Sequence, residues 1–505
     1  MSHLKLFSIL LCLTPFFLSS CSKDNALVEE SQSTTDQSVE SVNVVFRLQS
    51  NQTSILTRAT ATAEDSNDDP KTGSPAEYKV NNARVYFFDS ATKLFTKSVE
   101  LTGLTPDDAS GWIYEAKPIL APQGRYDIFV TANTDRVINK ETEDEFLADI
   151  DDQTYNMGEI TDISKGIVMS NRAVANLNTE IKKQKKAGAV NTIEIVLERV
   201  VARLDVAVKD DAFALTDDYG KQYATVKIKD FYIVNYPKHY YTYRHVAVLT
   251  SLEEPVWAMP ANFDKVADVN GYVVDPYFFK KKADAADFGN HDKYYANFYG
   301  DVSNPNSINW KALNAADPSD PKYVTSYCLE NCMLAPSQKN GYSTGVLFQA
   351  KMEPYDNVYR LNNTKDALVK VSNPADYAEE IYFYDYQFFN SADALKFYIN
   401  QTMPGTETLQ SEAQKFTKTD SGYYCYYNYW IRHLDNYKDN EMGVMEFGIV
   451  RNNYYRMLVT SVKDLGFGGT FMIEPNPDIP DEGEAKLKVV LNVKPWVLRK
   501  IDVEL

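Results

Sequence analysis

The chain has 505 residues, 44% of them hydrophobic, and a formal net charge of −18. That balance argues against nucleic acid and an anionic membrane surface as partners, since both call for a basic face, while the length allows two or three domains of roughly 100–200 residues each. With 35 Tyr and 25 Phe against 5 Trp, the composition favours β structure, because aromatic and β-branched side chains suit a pleated, half-buried surface.

In chain order, Lys5, an apolar run from Leu6 to Leu18, the small pair Ser19-Ser20 and then Cys21 have the layout of a signal peptide over residues 1–20, cleaved just before a cysteine. The polar Ser22-Lys23-Asp24-Asn25 that follows favours a bacterial lipoprotein acylated, as with palmitate, on Cys21 over an ordinary signal peptide with an incidental cysteine. No other stretch approaches the roughly 20 apolar residues that span a bilayer, so membrane contact is expected through the lipid alone.

Ser22 to Glu40 is polar and free of aromatics and reads as a flexible tether. Order is expected from Ser41, where Val42, Val44, Phe46 and Leu48 alternate with Asn43, Val45, Arg47 and Gln49, the period of a strand with one buried face. Ser50 to Asp69, containing Thr57-Arg58-Ala59-Thr60, is small and polar and reads as an exposed loop. Alternating runs then recur at Ala83 to Phe88, Arg125 to Ala132, Thr192 to Val208 and Thr225 to Tyr236, a rhythm of β-sandwiches. Short helices are expected at Glu141 to Ile150 and at Ser391 to Asn400, the second capped by Ser391.

The run from Ile193 to Val206, followed by Lys209-Asp210-Asp211, reads as the closing strand of a first domain, with the boundary near residue 208. A second domain, 209–505, has a middle (Ala283 to Lys322) dense in Asn, Asp, Pro and Tyr. Its last stretch, Lys486 to Leu505, reads as one long amphipathic strand. Leu487, Val489, Leu491, Val493, Val497, Ile501, Val503 and Leu505 share one face of an extended chain, and Pro495 divides it. Pro475, Pro477 and Pro480 precede it as a candidate hinge.

Chemistry-bearing residues are sparse. Beyond Cys12 and Cys21, the cysteines are Cys328, Cys332 and Cys425, read as buried thiols or one strained disulfide, since the second pair or histidine cluster of a zinc site is absent. His239 and His245 fall in a Tyr-rich run that reads as a strand surface, and Asp151-Asp152 and Asp210-Asp211 read as solvated turns. There is no G-x-S-x-G elbow, phosphate loop or dinucleotide fingerprint. No enzyme, cofactor or metal is expected.

Several segments resemble a family. Glu198-Arg199-Val200-Val201-Ala202-Arg203, Gly124 to Asn133, Val450-Arg451-Asn452-Asn453-Tyr454-Tyr455, Ser461 to Phe467, and the ending Val493-Lys494-Pro495-Trp496 with Ile501 to Leu505 look like the major subunit, or fimbrillin, of the short fimbriae of Bacteroides-type bacteria. The resemblance spans both ends and both domains, and is weak in the middle of the second.

It implies a mainly β fold of two transthyretin-like β-sandwich domains, with a few short helices and a removable N-terminal strand. It also implies export as a lipoprotein to the outer membrane and cleavage by an arginine-specific protease, here after Arg58 and before Ala59. Arg47 competes, but lies inside the strand Val42 to Leu48, where a folded backbone resists proteolysis. Removing 21–58, with Val42, Val44, Phe46 and Leu48, would leave a mature chain of domains 59–208 and 209–505 with an empty slot. A donor strand, residues 486–505 of the next copy, would fill it by β-augmentation, and such a head-to-tail contact propagates into a filament. The expected partners are other copies, accessory fimbrial subunits, the maturation protease and an unidentified host or bacterial surface ligand. The alternatives are a tail that merely closes its own sandwich, a surface glycan-binding lipoprotein, and an anchor or tip subunit of a fimbrium.

Overall fold

The structure, a computed structural model, describes residues 40–50, 74–106, 111–151, 161–162, 164–173, 175–186, 188–249, 255–257, 271–277, 295–296, 308–313, 323–332, 342–405, 413–419, 422–433, 446–468 and 486–495. The fold is mainly β. The elements that position the candidate site are β1 Ser41–Gln49, β2 Ala83–Asp89, β3 Phe95–Leu101, β4 Ile113–Glu115, β5 Ile119–Pro122, β6 Gly124–Ala132, α1 Glu143–Leu147, β7 Met169–Asn171, β8 Asn191–Arg199, β9 Val201–Val208, β10 Gln222–Val234, β11 Val324–Leu329, β12 Gly345–Pro354, α2 Ala392–Thr402, β13 Gly422–Trp430, β14 Asn453–Val462 and β15 Leu487–Pro495.

The N-terminal sheet runs β3-β2-β6-β7-β8-β1-β4, and β5 also pairs with β1. Strand β8 joins its two halves: Asn191–Val196 lies parallel to β1, and Leu197–Arg199 lies antiparallel to β7. The sheet therefore folds over on itself, and its inner face holds a core including Val44, Phe46, Leu48, Val85, Phe87, Ile128, Val130, Ile193 and Ile195. Phe46 and Phe87 meet edge-on across it, ring centroids 6.1 Å apart.

A second core lies between a four-stranded sheet, β11-β9-β14-β15, and an eleven-stranded sheet in which β10, β12 and β13 are consecutive neighbours. Leu204, Val206, Met457 and Val459 face Val226, Ile228, Phe348 and Ala350 within it. Both cores belong to one unit by contacts, Ser41–Leu505.

The continuous strand expected from Ile193 to Val206 is two strands, because the chain changes sheet at Val200. Strand β8 serves the first core, and β9 the second. Ser391 caps α2 as expected, its Oγ accepting from Ala394 N at 3.1 Å, satisfying one of the first-turn donors of the helix. Helix α1 is shorter than the expected Glu141–Ile150, since Ile150 and Asp151 leave it to pair with Tyr240–Tyr241. Among the described residues no helix is long and apolar enough to cross a membrane.

Candidate functional site

Strand β1 begins at Ser41, where order is expected, and sits inside its sheet rather than at an edge. Val44 to Gln49 pair parallel with β8, Arg47 to Gln49 antiparallel with β4, and Ser41 to Val44 antiparallel with β5. Val44, Phe46 and Leu48 are fully buried, Val42 is half-buried, and Val45 on the opposite face is covered as well. Burying three such side chains stabilises by roughly 1.5–3 kcal/mol each. Removing β1 would strip main-chain partners from β8 on one side and from β4 and β5 on the other. Arg47, the rival cleavage residue, lies in this paired backbone, with Nη1 3.5 Å from Glu194 and Nε 3.8 Å from Glu115.

The chain leaves β1 at Ser50 and is described again from Ser74. Ser50, expected in an exposed loop, is fully buried. Its N–H donates to Trp112 O at 3.1 Å and its Oγ to Tyr78 O at 2.7 Å. Both ends of the intervening stretch are thus pinned together. Arg199, 2% exposed, ties them further: Nη2 donates to Ser50 O at 3.3 Å, Nε to Glu77 O at 3.0 Å and Nη1 to Asn452 Oδ1 at 3.2 Å. Burial lowers its guanidinium to about 10, with the Glu77 charge opposing.

Next to it, Arg203 Nη1 donates to Glu77 Oε2 at 2.8 Å and Nε to Asp205 Oδ1 at 2.9 Å, and Tyr327 Oη donates to Glu77 Oε1 at 2.5 Å. Burial alone would lower the Arg203 guanidinium, but the hydrogen bond and charge of Asp205 and the charge of Glu77 raise it. Arg451, 1% exposed, donates from Nε to Glu330 Oε2 at 3.0 Å and from Nη2 to Tyr241 O at 2.8 Å. The Glu198–Arg203 and Val450–Asn453 segments therefore build a buried polar junction between the two cores. Arg203 is paired with Glu77 and Asp205 and Arg451 with Glu330, as buried ions require.

At the C-terminus β15 pairs antiparallel with β14, Leu487 opposite Val462 and Pro495 opposite Asn453. Leu487 is buried in the second core, with Val489 and Leu491 packed against it, and Val493 lies opposite Tyr455. Among the described residues β15 ends its sheet. Val497, Ile501, Val503, Leu505, Cys21, Arg58, Ala59 and the prolines at 475, 477 and 480 lie outside the described residues.

Other expectations meet the structure as follows. Cys328, Cys332 and Cys425 are buried thiols rather than a disulfide. Cys332 Sγ donates to Ile449 O at 3.1 Å, and burial pushes the Cys425 thiol up to about 12. Among the described residues no group of three His, Cys, Asp or Glu could hold a metal. Asp151 is not in a solvated turn: it is 1% exposed and accepts from Tyr240 Oη at 3.0 Å. His245 is not on a strand surface but is buried, stacked on Tyr241 with centroids 3.8 Å apart.

Two family models match. Residues 40–246 match the fimbrillin-A associated anchor proteins Mfa1 and Mfa2, and residues 421–502 match the C-terminal part of the type IV major fimbrial subunit, fimbrillin. The chain resembles the fimbrillins. Among curated proteins none matches. Similar solved structures include a fimbrilin (fimA) from Porphyromonas gingivalis W83, at 14% identity and TM-score 0.41, covering 92% of this chain and 99% of that one. The tip fimbrial protein Mfa3 of Porphyromonas gingivalis aligns at 11% identity and TM-score 0.37, over 90% of this chain and 100% of that one. A cell adhesion protein from Parabacteroides distasonis ATCC 8503 aligns at 14% identity and TM-score 0.42, over 90% and 100%. These matches support a structural or accessory subunit of a cell-surface fimbrium, assembling with other fimbrial subunits.

Proposed function

We propose that this chain is a stalk subunit, exported as a lipoprotein acylated on Cys21, matured by cleavage between Arg58 and Ala59, and polymerised through its C-terminal strand. The observation that carries the reading is the position of β1: the first described strand is paired along both edges and buried, yet it precedes a small, polar stretch holding Arg58. A cut there separates β1 from the domain it completes. Ser50 and Tyr78, joined by the Ser50 Oγ bond to Tyr78 O, hold the exit from β1 in place.

The tail is the replacement. In the precursor its first half pairs, among the described residues, with β14 alone, and an edge strand is released by breaking one ladder, where β1 would require breaking two. Residues 497–505 carry Val497, Ile501, Val503 and Leu505 on the same face, apolar side chains of the kind that leave the slot. The proposed domains are 59–208 and 209–505, although β9, Val201–Val208, packs in the second core and the change of core falls at Val200.

An anchor subunit is the second reading, favoured by the match of residues 40–246 to anchor proteins. An anchor would retain β1. The test compares the full-length protein with its Arg58→Ala variant under a limiting arginine-specific protease. A stalk subunit gives a new N-terminus at Ala59 and polymers only from the unaltered chain. Resistance of the folded chain to cleavage, or cleavage that leaves a monomer, rejects the stalk role in favour of the anchor.

A further inference from the structure

Away from the exchange slot, three ionisable side chains converge beside the β2–β3 turn. Lys93, in left-handed backbone at φ 60, is fixed at both main-chain atoms: its N–H donates to Asp89 O at 2.8 Å, and its carbonyl accepts from Glu143 N at 2.9 Å. Asp127 on β6 and Glu143 at the start of α1 are 1% and 2% exposed. Lys93 Nζ is in contact with Asp127 Oδ2 and lies 3.3 Å from Glu143 Oε2. The other Asp127 oxygen is held by Ser90 Oγ at 2.7 Å and Asn178 N at 2.6 Å. Glu143 Oε2 is buried without a hydrogen bond in good geometry. Aromatic rings wall the site: Phe88, opposite Asp127 in register, packs on Phe129 and Phe146.

An amine held against a buried carboxylate, with a second carboxyl beside both, is an arrangement for condensation. We propose that Lys93 and Asp127 join through an intramolecular isopeptide bond, with Glu143 carrying the proton between them. Lys93 Nζ forms the new bond to Asp127 Cγ, and one Cγ–O bond breaks. The ammonium gives up two protons, at least one by way of Glu143, and both leave with the departing oxygen as water. Glu143 ends as it began, so ammonium plus carboxylate becomes amide plus water with no other reactant.

Fixed geometry supplies the effective concentration that such a reaction lacks in solution. Burial, reinforced by a hydrogen bond to Asp127 and by its charge, pushes Glu143 up to about 7, the range in which a carboxyl both accepts and donates near neutral pH. Burial would lower the Lys93 ammonium, but Asp127 and Glu143 raise it, so taking its proton is the demanding step. The product would staple the β2–β3 turn to β6 within the sandwich that contains β1.

The test digests the denatured full-length protein with trypsin and sequences the peptides by mass spectrometry. An acylated Lys93 resists cleavage, so the bond yields a branched peptide of Val85–Lys97 joined to Tyr126–Arg136, lighter by one water than their sum. Glu143→Gln, checked for an unchanged circular-dichroism spectrum, is expected to yield the separate linear peptides. Recovery of Val85–Lys93 and Tyr126–Arg136 as unjoined peptides from the unaltered protein overturns the proposal, independently of any variant's folding. A branched peptide that persists at full yield in folded Glu143→Gln overturns the role given to Glu143.

Discussion

Arg451 and Glu330 form a charge pair of which each member is 1% exposed. Removing one member of such a pair leaves an uncompensated buried charge. Arg451→Met is expected to lower stability by roughly 3–5 kcal/mol, read as a fall in denaturant midpoint, and combining it with Glu330→Met to recover most of the loss. No recovery would mean that the Arg451 bonds to Tyr241 O and Thr242 O dominate. His245 gives a pH-dependent counterpart. Burial pushes its imidazole down from 6.5 to about 4. Below pH 6.5 the unfolded chain takes up a proton that the folded chain refuses until about pH 4. The associated stability is therefore complete above 6.5 and lost as pH falls toward 4. His245→Phe, which can keep the stack on Tyr241, should flatten the stability-versus-pH curve across that window, whatever it does to the absolute value. An unchanged slope would remove His245 from this role.

The element scale separates precursor from mature subunit. Phe46 fills the first core from β1, so Phe46→Ala should destabilise the precursor by roughly 3–5 kcal/mol. After cleavage the same substitution should leave the remaining subunit unaffected, because β1 has gone. A mature subunit that still carries the loss would mean that β1 stays in its slot. This strand was legible because its apolar residues alternate, but alternation shows one covered face and is silent on pairing at the edges. That it lies between β8 on one side and β4 and β5 on the other depends on partners distant in the chain. The run from Ile193 to Val206 misleads for a related reason. The apolar pattern continues across Val200, while the junction formed by Arg199 and Arg203 turns successive segments into different sheets. Helix α2 was readable from a local signal, the Ser391 cap, and the burial of Asp151 was not, since Arg136, 4.0 Å away, and Tyr240 reach it from elsewhere.

For the whole molecule, two cores meet at a buried polar junction, and two of the segments that carry the fimbrillin resemblance, Glu198–Arg203 and Val450–Tyr455, help build it. Arg199, Arg203, Arg451 and Asn452 join β8 and β9 to the start of β14 and to the ends of the loop after β1. Sequence reading singled out these segments without their chemistry, because charged residues near an apolar run look solvent-exposed until their partners are placed. The proposed donor strand was legible only as a repeat of apolar positions, and the structure puts its first half, Leu487–Pro495, on β14. The filament account then rests on residues 496–505 completing a neighbour. The most direct measurement compares the full-length protein with a chain ending at Pro495, which keeps β15, after identical cleavage by a limiting arginine-specific protease. The account predicts an N-terminus at Ala59 in both, with detergent-resistant ladders from the full-length protein and none from the shortened chain. Equal ladders from the two, or ladders from neither, would contradict it.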